Sequence, residues 1–453
     1  MTRIAATLSS IPRRLFEPVD IASIVVFRIA FGAILMWEVY RYFNYGWIDR
    51  YFVDPTFHFT YLGFGWVEPW PGNWMHAHFV ALGMLAFCIM IGFAYRVATV
   101  LFFFGFTYVF LLEQARYLNH FYFVSLIALC LIAVPAHRAF SVDAHLWPHL
   151  RSQFVPRWAL WLLRFQIAIV FVFAGIAKLN GDWLRGEPLR MWLADRTDFF
   201  VIGRFFTEEW LVYLFSYGGL MLDLFVVPFL LWPKTRWFAF AAALSFHLLN
   251  SELFTIGIFP WFSLGATLFF FPPDWPRRLL ERFDLKPVPA LPVSSARRPL
   301  GTARRVGVGL LCAYAAIQIF VPLRHVLYPG NVSWTEEGHQ FAWHQKLRDK
   351  DSDARFFAVR PGSGERWELD ISPYLTSWQY SKMSARPDMI LQMGHHLAGE
   401  LRAQGEDGVE VHAEVVASLN GRPFQLLIDP EVDLARQRRT IWGMDWIEPL
   451  RES

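Results

Sequence analysis

The fold is decided by residues 158–178, WALWLLRFQIAIVFVFAGIAK, an almost wholly apolar run that ends on a lysine. A helix of about 20 apolar residues spans the hydrocarbon core of a bilayer. Further runs of this kind occur at 20–43, 77–94, 97–113, 120–136, 209–232, 236–254, 256–271 and 305–322. The chain is therefore predicted to cross a membrane about nine times.

The composition of the 453-residue chain agrees with a membrane protein. Apolar residues make up 55% and charged residues only 18%, against about 25% charged in soluble domains. The net charge of +3 is too small over this length to indicate nucleic-acid binding, and a lipid bilayer is the expected surrounding. Cys88, Cys130 and Cys312 each lie inside an apolar run, so neither a disulfide framework nor a metal site is predicted.

Basic residues in the short loops predict the orientation, because cytoplasmic loops carry an excess of Arg and Lys. Such residues precede the first span and fall between the fourth and fifth, the sixth and seventh, and the eighth and ninth spans. With nine spans these loops share the side of the N-terminus, which is predicted to be cytoplasmic. One loop disagrees: residues 179–208 should lie outside, yet they contain Arg185, Arg190, Arg196 and Arg204.

The last part of the chain has a different character, and we predict two domains, residues 1–322 and 323–453. Apolar and polar residues alternate at 356–359, 367–371, 409–418 and 423–428, which is typical of strands, and 386–404 looks helical. Asn420-Gly421 is a strong hairpin signal, and Lys286–Arg298 reads as a linker. The predicted fold is an α-helical multi-pass membrane domain followed by a β-rich extracytoplasmic domain.

Several spans bring polar groups to the same predicted level, the outer membrane boundary. These residues are Asn119, His120, Lys178, His247, Asn250 and His325. Each has an ordinary alternative: the lysine could extend its amine to the interface, His120 and His247 could join helices by hydrogen bonds, and His325 could be a loop residue. Their common level favours an active site, because ionisable residues inside membrane segments are costly and usually functional.

The same residues lie in segments that resemble the vitamin K-dependent γ-glutamyl carboxylases. The segments are RAFSVD at 138–143, FAGIAKLNGDW at 173–183, FHLLNSELFTIGIFPW at 246–261, FPPDWPRRL at 271–279 and RHVLYPGNVSWTEEGHQFAW at 324–343. The resemblance implies that Lys178 is the catalytic base and that His120 assists it. It also implies that Asn119, His247 and His325 line the cavity for quinone and glutamate, and Asn250, at the same end of its span as His247, is predicted to bind the cofactor with them. The paired lysines of the family appear here as Ala177-Lys178.

The resemblance further implies the reaction. A glutamate-containing secreted or membrane polypeptide would be carboxylated with reduced vitamin K (phylloquinol or menaquinol), O2 and CO2, while the quinol becomes its epoxide. The tail would hold the polypeptide, and no metal would be needed. Two alternatives remain open: a quinol epoxidase without protein carboxylation, and a quinone- or lipid-binding or transport protein without turnover.

Overall fold

A computed structural model describes residues 14–254, 257–284 and 301–451 of the chain. Within these residues, every predicted span contains a helix. The helices are α1 Ala22–Asn44, α2 Trp74–Ile91, α3 Tyr95–Leu111, α4 Asn119–Ala133, α5 Arg157–Ala177, α6 Glu209–Leu231, α7 Arg236–Leu253, α8 Phe259–Thr267 and α9 Thr302–Leu323. The linker predicted at 286–298 lies outside the described residues.

Not all of these helices have the length and apolarity of a membrane span. In the described part of the chain, five do: α1, α2, α5, α6 and the helical stretch that begins with α9. The apolar helices α3, α4 and α8 are shorter, and α7 carries His247 and Asn250 in its last turns. Membrane association is therefore supported, whereas the predicted count of about nine spans is not confirmed.

The helices form a bundle with an aromatic core. Helix α1 packs on α2, α3 on α4, and α5 on both α4 and α6. Short elements complete the bundle: the antiparallel pair β1 Pro18–Asp20 and β2 Phe154–Pro156, and helical turns at Val142–Leu146, Gly181–Leu184, Leu189–Ala194 and Trp275–Arg282. The turns at 181–184 and 189–194 follow Lys178 directly and shape the entrance to the site described below.

The tail contains a four-stranded antiparallel sheet in the order β4-β3-β5-β6. The elements are β3 Lys350–Val359, β4 Arg366–Leu369, α10 Ser377–Met383, α11 Pro387–Ala403, β5 Glu410–Leu419 and β6 Gln425–Leu426. The turn between β5 and β6 is the predicted Asn420-Gly421 hairpin, with φ of 51° and 77°. Helix α11 packs on β5, and helices contribute about as many residues as strands. The tail is a sheet-containing domain of more mixed composition than the predicted β-rich one.

The tail is inserted into the helical bundle rather than tethered to it. Trp343 is 0% exposed and belongs to the bundle core, where its ring stacks on Tyr122 with centroids 5.0 Å apart. The buried carboxylate of Glu113 accepts hydrogen bonds from the backbone N–H of Ala115 at 2.9 Å and from Nε2 of Gln379 in the tail at 2.9 Å. The tail is thereby fixed above the ends of α4 and α5.

A buried arginine stabilises the opposite end of the bundle. Arg28 in α1 is 0% exposed, and its guanidinium donates to the carbonyl oxygens of Ala136, at 2.9 Å, and of Ala139 and Phe140. These carbonyls belong to the chain that leaves α4. A charged donor thus serves three acceptors, of which the Ala136 carbonyl would otherwise be buried without this partner.

Replacing Arg28 with Met should therefore destabilise the helical domain. We expect the free energy of unfolding to fall by about 3 kcal/mol, because the charged hydrogen bonds are lost and the buried Ala136 carbonyl loses its partner. Thermal unfolding of the full chain in detergent measures the change. Arg138→Met, at an exposed position in the same loop, is the control and should leave the midpoint unchanged; equal midpoints for both variants would contradict this role.

Candidate active site

A cavity of about 520 Å³ lies where the bundle meets the tail. Its lower wall comes from the ends of α4, α5 and α7 and from α6 up to Asp223, and its upper wall from tail residues between His339 and Arg386. Aromatic side chains dominate the lower wall, among them Phe171, Phe215 and Phe259. The cavity therefore has an apolar end in the bundle and a polar end in the tail.

The structure brings together most of the residues that the sequence singles out. Five of the six predicted site residues line this cavity: Asn119, His120, Lys178, His247 and Asn250. The sixth, His325, is not among the lining residues. It stands behind the wall, with its ring centroid 4.8 Å from that of His344. The catalytic and binding roles of all six remain predictions.

Lys178 is paired with a carboxylate that the sequence reasoning missed. Its Nζ lies 2.7 Å from Oδ2 of Asp223, and both side chains are 7% exposed. Lys178 follows the last residue of α5, whereas Asp223 lies in the middle of α6. The sequence could have pointed to Asp223, because a carboxylate inside an apolar span is rarely placed there without a function.

His247 is buried in the apolar wall without a partner of its own. It is 2% exposed, and among the described residues neither Nδ1 nor Nε2 has a hydrogen-bond partner. Rings of Phe171 and Phe259 lie about its own ring, with centroids 6.0 and 6.1 Å away. Buried polar groups are nearly always satisfied, so this imidazole is available to a ligand in the cavity.

Asn119 connects the bundle with the tail. Its Oδ1 accepts a hydrogen bond from the Tyr117 hydroxyl at 2.9 Å, and its Nδ2 donates to the backbone carbonyl of His344 at 2.8 Å. These contacts occupy the carboxamide with protein partners. Asn119 therefore holds the tail wall of the cavity in place, in addition to facing the cavity itself.

The tail supplies a second unpartnered histidine, which sequence reasoning did not single out. His344 is 5% exposed, and neither ring nitrogen has a hydrogen-bond partner within the described ranges. Burial, with a smaller contribution from His325, lowers the pKa of His344 to about 3. The imidazole is therefore neutral at physiological pH and offers one donor and one acceptor.

The tail end of the cavity is rich in positive charge. The cationic lining residues are Arg116, Lys346, Arg348, Lys382 and Arg386. Arg348 is paired with Glu336, but none of the other four has a carboxylate within ion-pair distance among the residues the structure describes. Burial lowers the pKa of Lys346, and for Lys382 burial and the neighbouring cations, Arg386 first, act in the same direction. An anion bound here would relieve this repulsion.

The low pKa of His344 should make the stability of the folded protein depend on pH. The folded-state pKa lies below the ordinary value of about 6.5, so the neutral ring contributes full stability above that pH and loses it as the pH falls. At pH 5 the loss amounts to about 2 kcal/mol. His344→Gln should flatten the fall of the unfolding midpoint between pH 7 and pH 5, whereas His149→Gln, at an exposed position, should not. An unfolding midpoint that depends on pH in the same way in the wild type and both variants would contradict this contribution of His344.

Comparison with known protein families identifies two matching domains in the chain. The family model of the HTTM domain matches residues 16–275, and that of the vitamin K-dependent gamma-carboxylase lumenal domain matches residues 303–453. No solved structure shows a significant match. The name of the second domain agrees with an extracytoplasmic tail, while the cytoplasmic N-terminus remains a prediction. The two models follow each other along the chain, the first over α1 to α8 and the second over α9 and the tail. The chain therefore belongs to the vitamin K-dependent γ-carboxylase family.

Proposed function

We propose that this protein is an integral-membrane enzyme that carboxylates glutamate side chains of a polypeptide, with CO2, in a reaction coupled to oxidation of reduced vitamin K to its epoxide by O2. The observation that carries the proposal is the two-ended cavity. A buried lysine–aspartate pair lies in its apolar end, and four cations without carboxylate partners lie at its tail end. An apolar cosubstrate and an acidic one would meet between these ends.

The apolar end fits reduced vitamin K. Such a ligand needs aromatic walls for its rings and a few polar groups that fix its hydroxyls. The walls include Phe171, Phe246 and Phe259, and His247 offers two ring nitrogens without protein partners. When bound, reduced vitamin K supplies, through its oxidation by O2, the strong base that removal of a glutamate γ-proton requires.

Lys178 is the proposed acceptor of the first proton. It must present a free amine, and the adjacent Asp223 carboxylate can hold the proton that the ammonium gives up, since the two atoms are 2.7 Å apart. The pair keeps a net charge of zero whichever atom carries the proton, so the transfer does not create a new buried charge. His120, which lines the same end, would orient the hydroxyl that donates.

The tail end is the proposed place for the glutamate. Arg116, Lys346, Lys382 and Arg386 would hold a carboxylate by charge-assisted hydrogen bonds. Their positions in the wall would direct the rest of the side chain toward the bundle. His325 would act through His344, against which its ring packs. The aromatic lining limits water, which would otherwise reprotonate the carbanion.

Lys178→Ala should abolish epoxide formation while the protein still inserts and folds, although loss of the buried pair lowers the free energy of unfolding by about 3–5 kcal/mol. The variant loses the proton acceptor, and Asp223 alone is aimed at the vacated space. Chromatographic detection of vitamin K epoxide, with purified protein in detergent, measures the effect. Lys234→Ala, at an exposed loop position, is the matched control and should turn over like the wild type. Unchanged turnover in Lys178→Ala would remove the role assigned to this lysine.

Asp223→Asn should lower the maximal rate of epoxide formation. A carboxamide cannot take up the proton that the Lys178 ammonium gives up, and general acid–base groups of this kind contribute about a hundredfold or more. Asp195→Asn, at an exposed position, serves as the control. An unchanged maximal rate in Asp223→Asn would show that the carboxylate takes no part in the proton transfer.

A further inference from the structure

The tip of the β5–β6 hairpin lies against the chain that follows Lys178. Gly421 has φ +77°, and a Cβ added there would lie 3.3 Å from Sδ of Met191. Asn420 is 8% exposed although it occupies a hairpin turn. A turn of this kind normally points into water, so its burial against another domain requires a separate reason.

The hairpin donates several hydrogen bonds to one carboxylate. Asp182, in the helical turn Gly181–Leu184, accepts hydrogen bonds from Nη2 and Nη1 of Arg422 at 2.6 and 3.0 Å and from Nδ2 of Asn420 at 2.8 Å. Arg185 adds a fourth donor at 2.8 Å, but its side chain is 62% exposed. Burial would raise the pKa of Asp182, but the hydrogen bonds from Arg422 and Asn420 outweigh burial and lower it. The carboxylate therefore stays charged.

The same asparagine continues the connection into the tail wall of the cavity. Its Oδ1 accepts a hydrogen bond from the backbone N–H of Asp349, and its own N–H donates to the Asp349 carbonyl, both at 2.8 Å. Residues 344–348, which immediately precede Asp349, line the cavity. Asp182 follows Lys178 by four residues, in the turn that begins at Gly181. The contacts thus form a short, continuous link between the lysine and the cationic wall.

We propose that Asp182, Asn420 and Arg422 form a latch that sets the register of the two halves of the cavity and thereby couples quinol oxidation to carbon capture. None of the three lines the cavity, so they are positioning residues. The coupling part of the inference rests on the proposed function. The latch would affect the coupling through distance, because the base generated at the Lys178 end must act on a glutamate held at the tail end. Misplacement by about 1 Å can reduce such a step about a hundredfold.

The test compares Asp182→Asn with the matched control Arg185→Gln in the purified full-length protein. Arg185→Gln removes a partner of the same carboxylate that does not belong to the tail. Hydrogen–deuterium exchange should accelerate by about tenfold or more at 345–350 in Asp182→Asn, because Asn420, which accepts a hydrogen bond from the Asp349 N–H, loses the carboxylate that holds its side chain. Exchange should not change in the control. The ratio of CO2 fixed to quinol oxidised should fall by about tenfold while quinol oxidation itself persists. Arg422→Lys, which keeps the charge but not the two-pronged contact, should fall between wild type and Asp182→Asn in both readouts.

Unchanged exchange at 345–350 in Asp182→Asn would overturn the latch. Faster exchange with an unchanged ratio would also overturn the proposal, since the contact would then be structural alone. If the wild type forms neither product, the proposed function fails, and the exchange measurement still decides whether the contact sets the register.

Discussion

Lys178 and Asp223 lie 2.7 Å apart in a place that water hardly reaches, and the arrangement of the site follows from that pair. Removing one partner of a buried ion pair leaves an uncompensated charge, which costs about 3–5 kcal/mol. The pair therefore fixes how the end of α5 faces the middle of α6 and directs the amine to the cavity. Around it, aromatic walls limit water at the bundle end, and cations of the tail complete the other end. A site that accepts an apolar ligand and an acidic one depends on this separation.

Much of this arrangement is predictable from the sequence, because the bilayer imposes simple lengths. Apolar runs of bilayer thickness located the helices, and the positions of polar residues at the ends of those runs placed Asn119, His120, Lys178 and His247 at a common level. The Asn420-Gly421 pair located the hairpin for a local reason: both residues adopt a positive φ that few others tolerate. What the hairpin tip contacts was not predictable, since Asp182 is distant in sequence.

The residues that sequence reasoning missed share one property: they join the site only when distant parts of the chain pack together. Asp223 reads as a single carboxylate in an apolar run until α6 is packed on α5. His344 belongs to the tail, whose insertion into the bundle leaves no local pattern. The basic loop 179–208 differs, because its ion pairs are local. Its four arginines disagree with the predicted orientation, and two of them, Arg185 and Arg190, are paired with Asp182 and Glu187 three residues away.

If one cavity joins quinol oxidation to carboxylation, the protein must transfer labelled bicarbonate to a glutamate-containing peptide, and that transfer is the measurement to make. Purified protein would be supplied with reduced vitamin K and O2, beside the Lys178→Ala variant, and epoxide would be quantified in the same samples. We expect label in the peptide and epoxide together, both dependent on Lys178. Epoxide without label would reduce the function to quinol epoxidation, and neither product from folded protein would contradict the account and favour a binding or transport role.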